Sequence, residues 1–283
     1  MPAVLSSNTY GKSDIRLTKV VRRGARHKLL EFSIDIRLAG DFAAAYTAGD
    51  NTKLVATDSM KNTVYVLAKE RDFDGPETFA VIVAEHFTAT YPQVTSSLVE
   101  VRQSAWKRID VDGTPHEHSF VNSGRELHTA TAMSVAGHPT AVAGGVTGLL
   151  VLKSGNSAFK EFVTDRYRTL PDADDRIFAT SVTATWDFAG PGVDYVAAYL
   201  KACTAMLETF ATHVSLAVQQ TMFEMGKAAL AAVPEISRVS LRLPNKHRIP
   251  INLKPFGLEN NNEVFVWTDE PFGDITAVVE REA

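Results

Sequence analysis

Two eleven-residue stretches, 142 positions apart, constrain this chain more than any other feature. "YPQVTSSLVEV" (91–101) and "VPEISRVSLRL" (233–243) each place a proline where a helix must stop, then alternate apolar with polar residues as a half-buried strand does. Helical patterns precede both. In "PETFAVIVAEHFTATY" (76–91), Pro76 sits in the first turn and Phe79, Ile82, Val83, His86 and Phe87 line one face. A chain that repeats strands, helix and strands has to cover one face of an antiparallel sheet with its helices, so the expected class is α+β. A second correspondence, Ala56-Thr57 with Ala179-Thr180 at an offset of 123, also suggests duplication. The expected halves are residues 1–137 and 138–283, each of ordinary domain size.

In the first half, strands are expected at 29–40, 62–70, 97–109 and near 117–121, with a turn around Asp58–Asn62. In the second half they are expected at 145–153, 177–188, 236–243, 247–253 and 263–267, with helices over 193–212 and 215–233. One stretch breaks its own pattern. "SLRLPNKHRIPINL" (240–253) reads as a strand on both sides of Pro244, Asn245, Lys246 and His247. A proline and a polar triplet both weaken a sheet, so the interruption calls for a purpose.

Bulk properties exclude several classes. The composition is 45% hydrophobic and 22% charged, and 29 basic against 33 acidic residues give a net charge of -4 with no long basic run. That argues against a nucleic-acid partner. The most apolar stretch, 211–233, contains Gln219, Gln220, Glu224 and Lys227, too many polar groups for a membrane span. The N-terminus lacks the pattern of a signal peptide, and the C-terminal residues are not the peroxisomal tripeptide. The single cysteine, Cys203, cannot form an internal disulfide. A cytoplasmic location is expected.

Few residues advertise chemistry by spacing. Asp110, Asp112 and Gly113 resemble the start of a calcium loop, but the downstream acidic positions are missing. His116 and His118 face one side of a strand without an evident third ligand, and a hairpin with polar flanks accounts for them equally well. The glycines at 144, 145 and 148 are not followed by the opening of a helix, so they are no dinucleotide fingerprint. Lys12, Thr57, Phe159, Arg176, Gln219 and the Asn245–His247 triplet remain as a scattered set. Singly, each has a structural explanation: Thr57 with Asp58 starts a turn, and Ser215 caps a helix near Gln219.

Seven stretches carry a more specific signal: "YGK" (10–12), "DNTKLVATDSMKNTVY" (50–65), "DGTPHEHSF" (112–120), "GLLVLKSGNSAFKEF" (148–162), "DRIFATSVTATW" (175–186), "QQTMFEM" (219–225) and "LPNKH" (243–247). Together and in this order they resemble the cofactor-free urate oxidases along nearly the whole chain. The resemblance implies the tunnelling fold, in which each half is a four-stranded antiparallel sheet backed by helices. Two chains would close their sheets into a barrel, and two barrels would stack as a homotetramer with active sites at subunit interfaces.

The resemblance also implies roles. Urate and O2 would be the partners, with no cofactor and no metal. Arg176 and Gln219 would grip the purine edge, Phe159 would stack on the ring, and Val218 would offer its backbone N–H. Thr57 and Asp58 would approach the opposite edge from the neighbouring chain. Lys12, Thr57 and His247 would relay protons, and Asn245 with Thr57 would hold oxygen or water over the ring. A lysine ordinarily titrates near about 10.4, so Lys12 would need burial to act as a base. Two alternatives stay open here. Other tunnelling-fold purine or pterin enzymes, some with zinc, are one, although their zinc ligands have no evident counterpart here; a non-catalytic urate binder, which could lose Lys12 or His247, is the other.

Overall fold

The computed structural model of the chain describes residues 3–282. They form two compact units: the chain up to Gly145 with the segment Asp187–Ala197, and Val146–Trp186 with the chain from Ala198 onward.

The first unit is a sheet of β1 (Tyr10–Val21), β2 (Lys28–Gly40), β3 (Val94–Val111) and β4 (Thr114–Val135), with antiparallel neighbours in that order. Helices α1 (Ala43–Thr47), α2 (Thr57–Glu70) and α3 (Pro76–Thr90) lie between β2 and β3 in the chain. Alternation explains the core. Leu30, Phe32, Ile34, Ile36 and Leu38 of β2 all point inward and are buried. Against them α3 places Phe79, Val83 and Phe87, and α2 places Met60, Val64 and Leu67. Phe73 stacks on Phe79 at 4.3 Å between ring centroids. Each large side chain buried in this way contributes roughly 1.5–3 kcal/mol.

Two expectations are corrected in this unit. Residues 62–70 are not a strand but the second half of α2, and Thr57 and Asp58 open that helix rather than a turn. The β-favouring Val64-Tyr65-Val66 suggested a strand, yet Met60, Val64, Leu67 and Ala68 fall at helical spacing and are the ones that reach the core. The offset of 123 also fails, because Thr57 starts a helix while Thr180 lies inside a strand. Asp112 and Gly113, both at positive φ (50° and 76°), make the tight turn between β3 and β4, so the aspartate serves a hairpin.

The second unit contains most of β5 (Ala141–Lys153), β6 (Phe178–Phe188) and α4 (Tyr195–Thr212). It also holds α5 (Val218–Ala232), β7 (Ile236–Arg242) and β10 (Thr276–Glu280). Its strand order is β5-β6-β7-β10. A separate two-stranded ribbon pairs β8 (His247–Pro250) with β9 (Phe265–Thr268). Helix α5 buries Val218, Met222, Met225 and Ala229, and a Cβ on its Gly226 would lie 2.6 Å from Val279 of β10. Only glycine lets the helix approach this closely.

The offset of 142 holds in three dimensions. Helices α3 and α5 are both 15 residues long, and each is followed by a strand whose start is also displaced by 142. The second residues of the two helices have diverged. Glu77 is fully buried, with Oε1 2.7 Å from His128 Nε2, whereas its counterpart Gln219 is exposed. Among the described residues no helix is long and apolar enough to cross a membrane.

Candidate active site

The sequence-singled residues gather into two clusters, one in each unit. In the first, "YGK" and the start of α2 are joined by a single side chain. The Tyr10 hydroxyl accepts from the Val55 N–H (2.7 Å) and donates to the Val55 carbonyl (3.1 Å). Its ring meets Phe42 edge-on at 4.9 Å. This fixes the segment leading into Thr57 against β1. Gly11 is required because an added Cβ would sit 1.7 Å from the Ile36 carbonyl oxygen on β2. Lys12 follows, half-buried and paired in register with Ile36.

Helix α2 has no side-chain cap, and its first backbone bond runs from the Met60 N–H to the Ala56 carbonyl. The amides of Thr57 and Asp58 therefore precede the helical ladder and are available to an anion. The Asp58 carboxylate is occupied by Lys61 (2.6 Å) and Asn62 (2.9 Å). The Lys61 hydrogen bond and charge hold that carboxyl below its ordinary range, with the Lys12 charge adding to the effect. Asp58 can thus offer its amide without presenting a free carboxylate.

The second cluster is built by a threaded loop. Residues 156–159 run between 173–176 on one side and Ser215 on the other. Phe159 and Ala173 exchange backbone bonds (2.8 and 2.9 Å), and the Arg176 N–H reaches the Ser157 carbonyl (2.7 Å). The Ala158 N–H reaches the Ser215 carbonyl (2.7 Å), which ties the loop to the approach of α5. Inside this weave the Arg176 guanidinium carbon lies 4.9 Å from the Phe159 ring centroid.

Among the described residues Arg176 Nε is buried without a hydrogen-bond partner, and burial lowers the guanidinium pKa from its ordinary value. An arginine stays charged even so. The cluster therefore contains a partly desolvated cation beside an aromatic face, an arrangement suited to a flat anion.

The interrupted stretch 240–253 is two strands in different sheets. β7 ends at Arg242 and β8 begins at His247 on the ribbon. Between them the backbone is fastened on both sides. The Leu243 N–H bonds to Ile275, Asn245 to Gly273 and Lys246 to Ala179, each at 2.9 Å, and the Thr180 hydroxyl donates to the Pro244 carbonyl at 2.9 Å. Arg176, Asn245 and His247 line one small cleft of about 60 Å³. Arg176 and His247 also border an adjoining pocket of about 340 Å³ lined by Leu170, Ala173 and Phe265, which reaches the size of about 300 Å³ or more usual for small-molecule sites.

Helix α5 begins at Val218, not near Ser215, with Ala217 as its N-cap. Val218 and Gln219 are its first two residues, so both amides lack intrahelical acceptors. Ser215 does not cap the helix. Its hydroxyl receives the Thr221 hydroxyl at 2.8 Å, and Gln220 reaches back to the Leu216 N–H at 3.1 Å.

Comparison with known proteins decides the family. The uricase family profile matches residues 8–133 and 142–276. A uricase of Arthrobacter globiformis is 43% identical over 279 residues, covering 99% of this chain and 90% of that protein. A uricase of Dictyostelium discoideum is 36% identical over 282 residues, covering 99% and 98%. The crystal structure of uricase from Arthrobacter globiformis superposes with a TM-score of 0.94 at 42% identity, covering 100% of this chain and 96% of that one. The chain belongs to the uricase family.

Membership gives the two clusters a common context without altering their geometry. Lys12, Thr57 and Asp58 belong to the first unit, while Phe159, Arg176, Val218, Gln219, Asn245 and His247 belong to the second. His116 and His118 lie together, with ring centroids 4.6 Å apart, and His27 is 5.7 Å from His118. Among the described residues no group of three His, Cys, Asp or Glu side chains has the arrangement of a metal site. Sequence reasoning overlooked the Tyr10 hydroxyl as the clamp on Val55 and Thr180 as the anchor of Pro244. Both act on backbone groups distant in sequence, and periodicity carries no trace of such contacts.

Proposed function

We propose that this uricase-family chain is a urate oxidase that converts urate, O2 and water to 5-hydroxyisourate and hydrogen peroxide. One observation carries the reading: the Arg176 guanidinium stands partly desolvated beside the Phe159 ring with its Nε unpartnered. A planar fork next to an aromatic plate fits the edge and the face of an anionic purine at once. Gln219 extends the grip with a donor and an acceptor, and the Val218 amide at the helix start favours negative charge.

The reaction removes two electrons from urate and delivers them, with two protons, to O2 as hydrogen peroxide. The oxygen of water remains on the purine. An electron-rich urate dianion can supply those electrons itself, so the protein's tasks are binding, deprotonation and placement. Lys12 and Thr57 accept and pass the proton, His247 completes the relay, and Asn245 with Thr57 holds oxygen or water over the ring.

The division of these residues between two units supports a shared site. In this reading the first-unit cluster of one subunit meets the second-unit cluster of its neighbour in a homotetramer. The enzyme is placed in the cytoplasm, where a single cysteine needs no partner.

Loss of urate absorbance with matched oxygen uptake, in protein stripped of metal by chelation, tests the proposal. The expected result is one O2 consumed per urate with full turnover after chelation. Turnover that disappears with chelator and returns with a single metal would reject the cofactor-free mechanism.

A further inference from the structure

The pairing of β1 with β2 contains an irregularity beside Lys12. Lys12 stands opposite Ile36 and Ile15 opposite Ile34, so Ser13 and Asp14 together face only Asp35. Two residues against one make a β-bulge, and here it decides which way Lys12 faces. Directly opposed residues share a face of the sheet. Ile34 and Ile36 are both fully buried under the helices, so Lys12 and Ile15 share the helix-covered face despite their odd spacing. In a regular strand, residues three apart point to opposite faces. Without the bulge, Ile15 in the core would turn Lys12 away from α2.

A compact polar network holds the bulge. Asp14 adopts a left-handed backbone at φ 54°, which costs energy in a residue with a Cβ. Its N–H donates to Asp35 Oδ1 at 2.6 Å, and the Ser33 hydroxyl donates to Asp14 Oδ1 at 2.7 Å. Arg102, reaching across from β3, donates to Asp35 Oδ2 at 2.7 Å and to the Ser33 hydroxyl at 3.1 Å. Burial pushes the Asp35 carboxyl up, but the Arg102 hydrogen bond, the Asp14 amide and the Arg102 charge together hold it below the usual range. The network thus favours the charged form of the acceptor.

We infer that Asp35, braced by Arg102, is a positioning residue that holds the β1 bulge and so keeps Lys12 on the face where Thr57 opens α2. The inference rests on the proposed role of Lys12 in proton transfer. It extends the working site to the opposite face of the sheet, where Asp35 lies.

The test compares four folded variants in the oxygen-uptake assay: Asp35→Ala, Asp35→Asn, Lys12→Met, and Asp35→Ala combined with deletion of Ser13. Asp35→Ala removes the acceptor, and displacing a reacting group by about 1 Å can cost about a hundredfold in rate. A fall in kcat of at least about tenfold, with KM for urate within about twofold, is expected. Asn keeps an acceptor for the Asp14 N–H, so Asp35→Asn should retain most of what alanine loses.

The deletion is the sharper arm. Removing Ser13 makes the spacing of Lys12 and Ile15 even, so both face the core with no bulge to hold, and kcat should recover several-fold over Asp35→Ala alone. A merely structural role for Asp35 predicts no such recovery. If Lys12→Met abolishes turnover while Asp35→Ala leaves kcat intact, or if the deletion restores nothing, the positioning role is wrong. If Lys12→Met itself keeps its kcat, the proton-transfer reading fails first. Should Asp35→Ala not fold, Ser33→Ala removes one arm of the network at an accessible position and must show the same loss in kcat with KM kept.

Discussion

Replacing Arg176 by alanine should separate binding from stability. The side chain accepts no carboxylate partner from the described residues, its Nε is buried without a bond, and its charge is partly desolvated. Truncation relieves that desolvation and forfeits the contact with Phe159, which is worth ~0.5–2 kcal/mol. These effects oppose each other, so the net change in stability should stay within about 1 kcal/mol, or roughly 2–4 °C in melting temperature.

Urate should respond very differently. Losing charge-assisted hydrogen bonds worth ~1.5–3 kcal/mol weakens binding by ~10- to ~150-fold. Anaerobic titration calorimetry measures this directly, because urate cannot turn over without O2, and a thermal scan of the same sample reports stability. In steady state the loss should fall mainly on KM, since the contact already exists in the ground state. An unchanged Kd, or a melting temperature lowered by ~10 °C, would show that Arg176 is a structural residue and refute the argument.

Lys12→Met and Thr57→Ala should lower kcat far more than they weaken urate binding; a raised KM with unchanged kcat in either would remove that residue from the proton relay. Thr57→Ala and Arg176→Ala chains, each nearly inactive alone at urate well below the wild-type KM, should recover about a quarter of wild-type activity at that concentration when co-expressed, because half the dimers are mixed and half of their sites escape both lesions. Confirmed mixed tetramers with no recovered oxygen uptake would contradict the shared site. Gly11→Ala should destabilise the chain by about 3 kcal/mol in denaturant unfolding. Its Cβ would meet the Ile36 carbonyl oxygen at 1.7 Å, where only backbone could yield.

What was legible in the sequence is what local chemistry dictates. Pro76 at the start of α3, the prolines just after α3 and α5 and the alternation in β2 and β3 all act within a few residues. Those elements and their offset of 142 could therefore be read directly. Residues 62–70 were misread because Val64-Tyr65-Val66 favours a strand locally, and only the core that receives Met60, Val64 and Leu67 makes them a helix. β1 escaped notice because its bulge breaks the alternation between Lys12 and Ile15.

The site divides along the same line. Short motifs offered Lys12, Thr57, Phe159, Arg176, Gln219, Asn245 and His247 as candidates, because a motif is read as a string of residues. Their arrangement was not in the strings. Asn245 and His247 looked like a flaw in one strand, whereas bonds to Gly273 and Ala179 carry the chain from one sheet to another there. The face on which Lys12 stands depends on Asp35 and Arg102, 23 and 90 residues further along the chain. Sequence determines which side chains are available and how each short segment prefers to bend. Long-range backbone bonds and burial decide which of them share a face, since that energy exists only once distant segments have met.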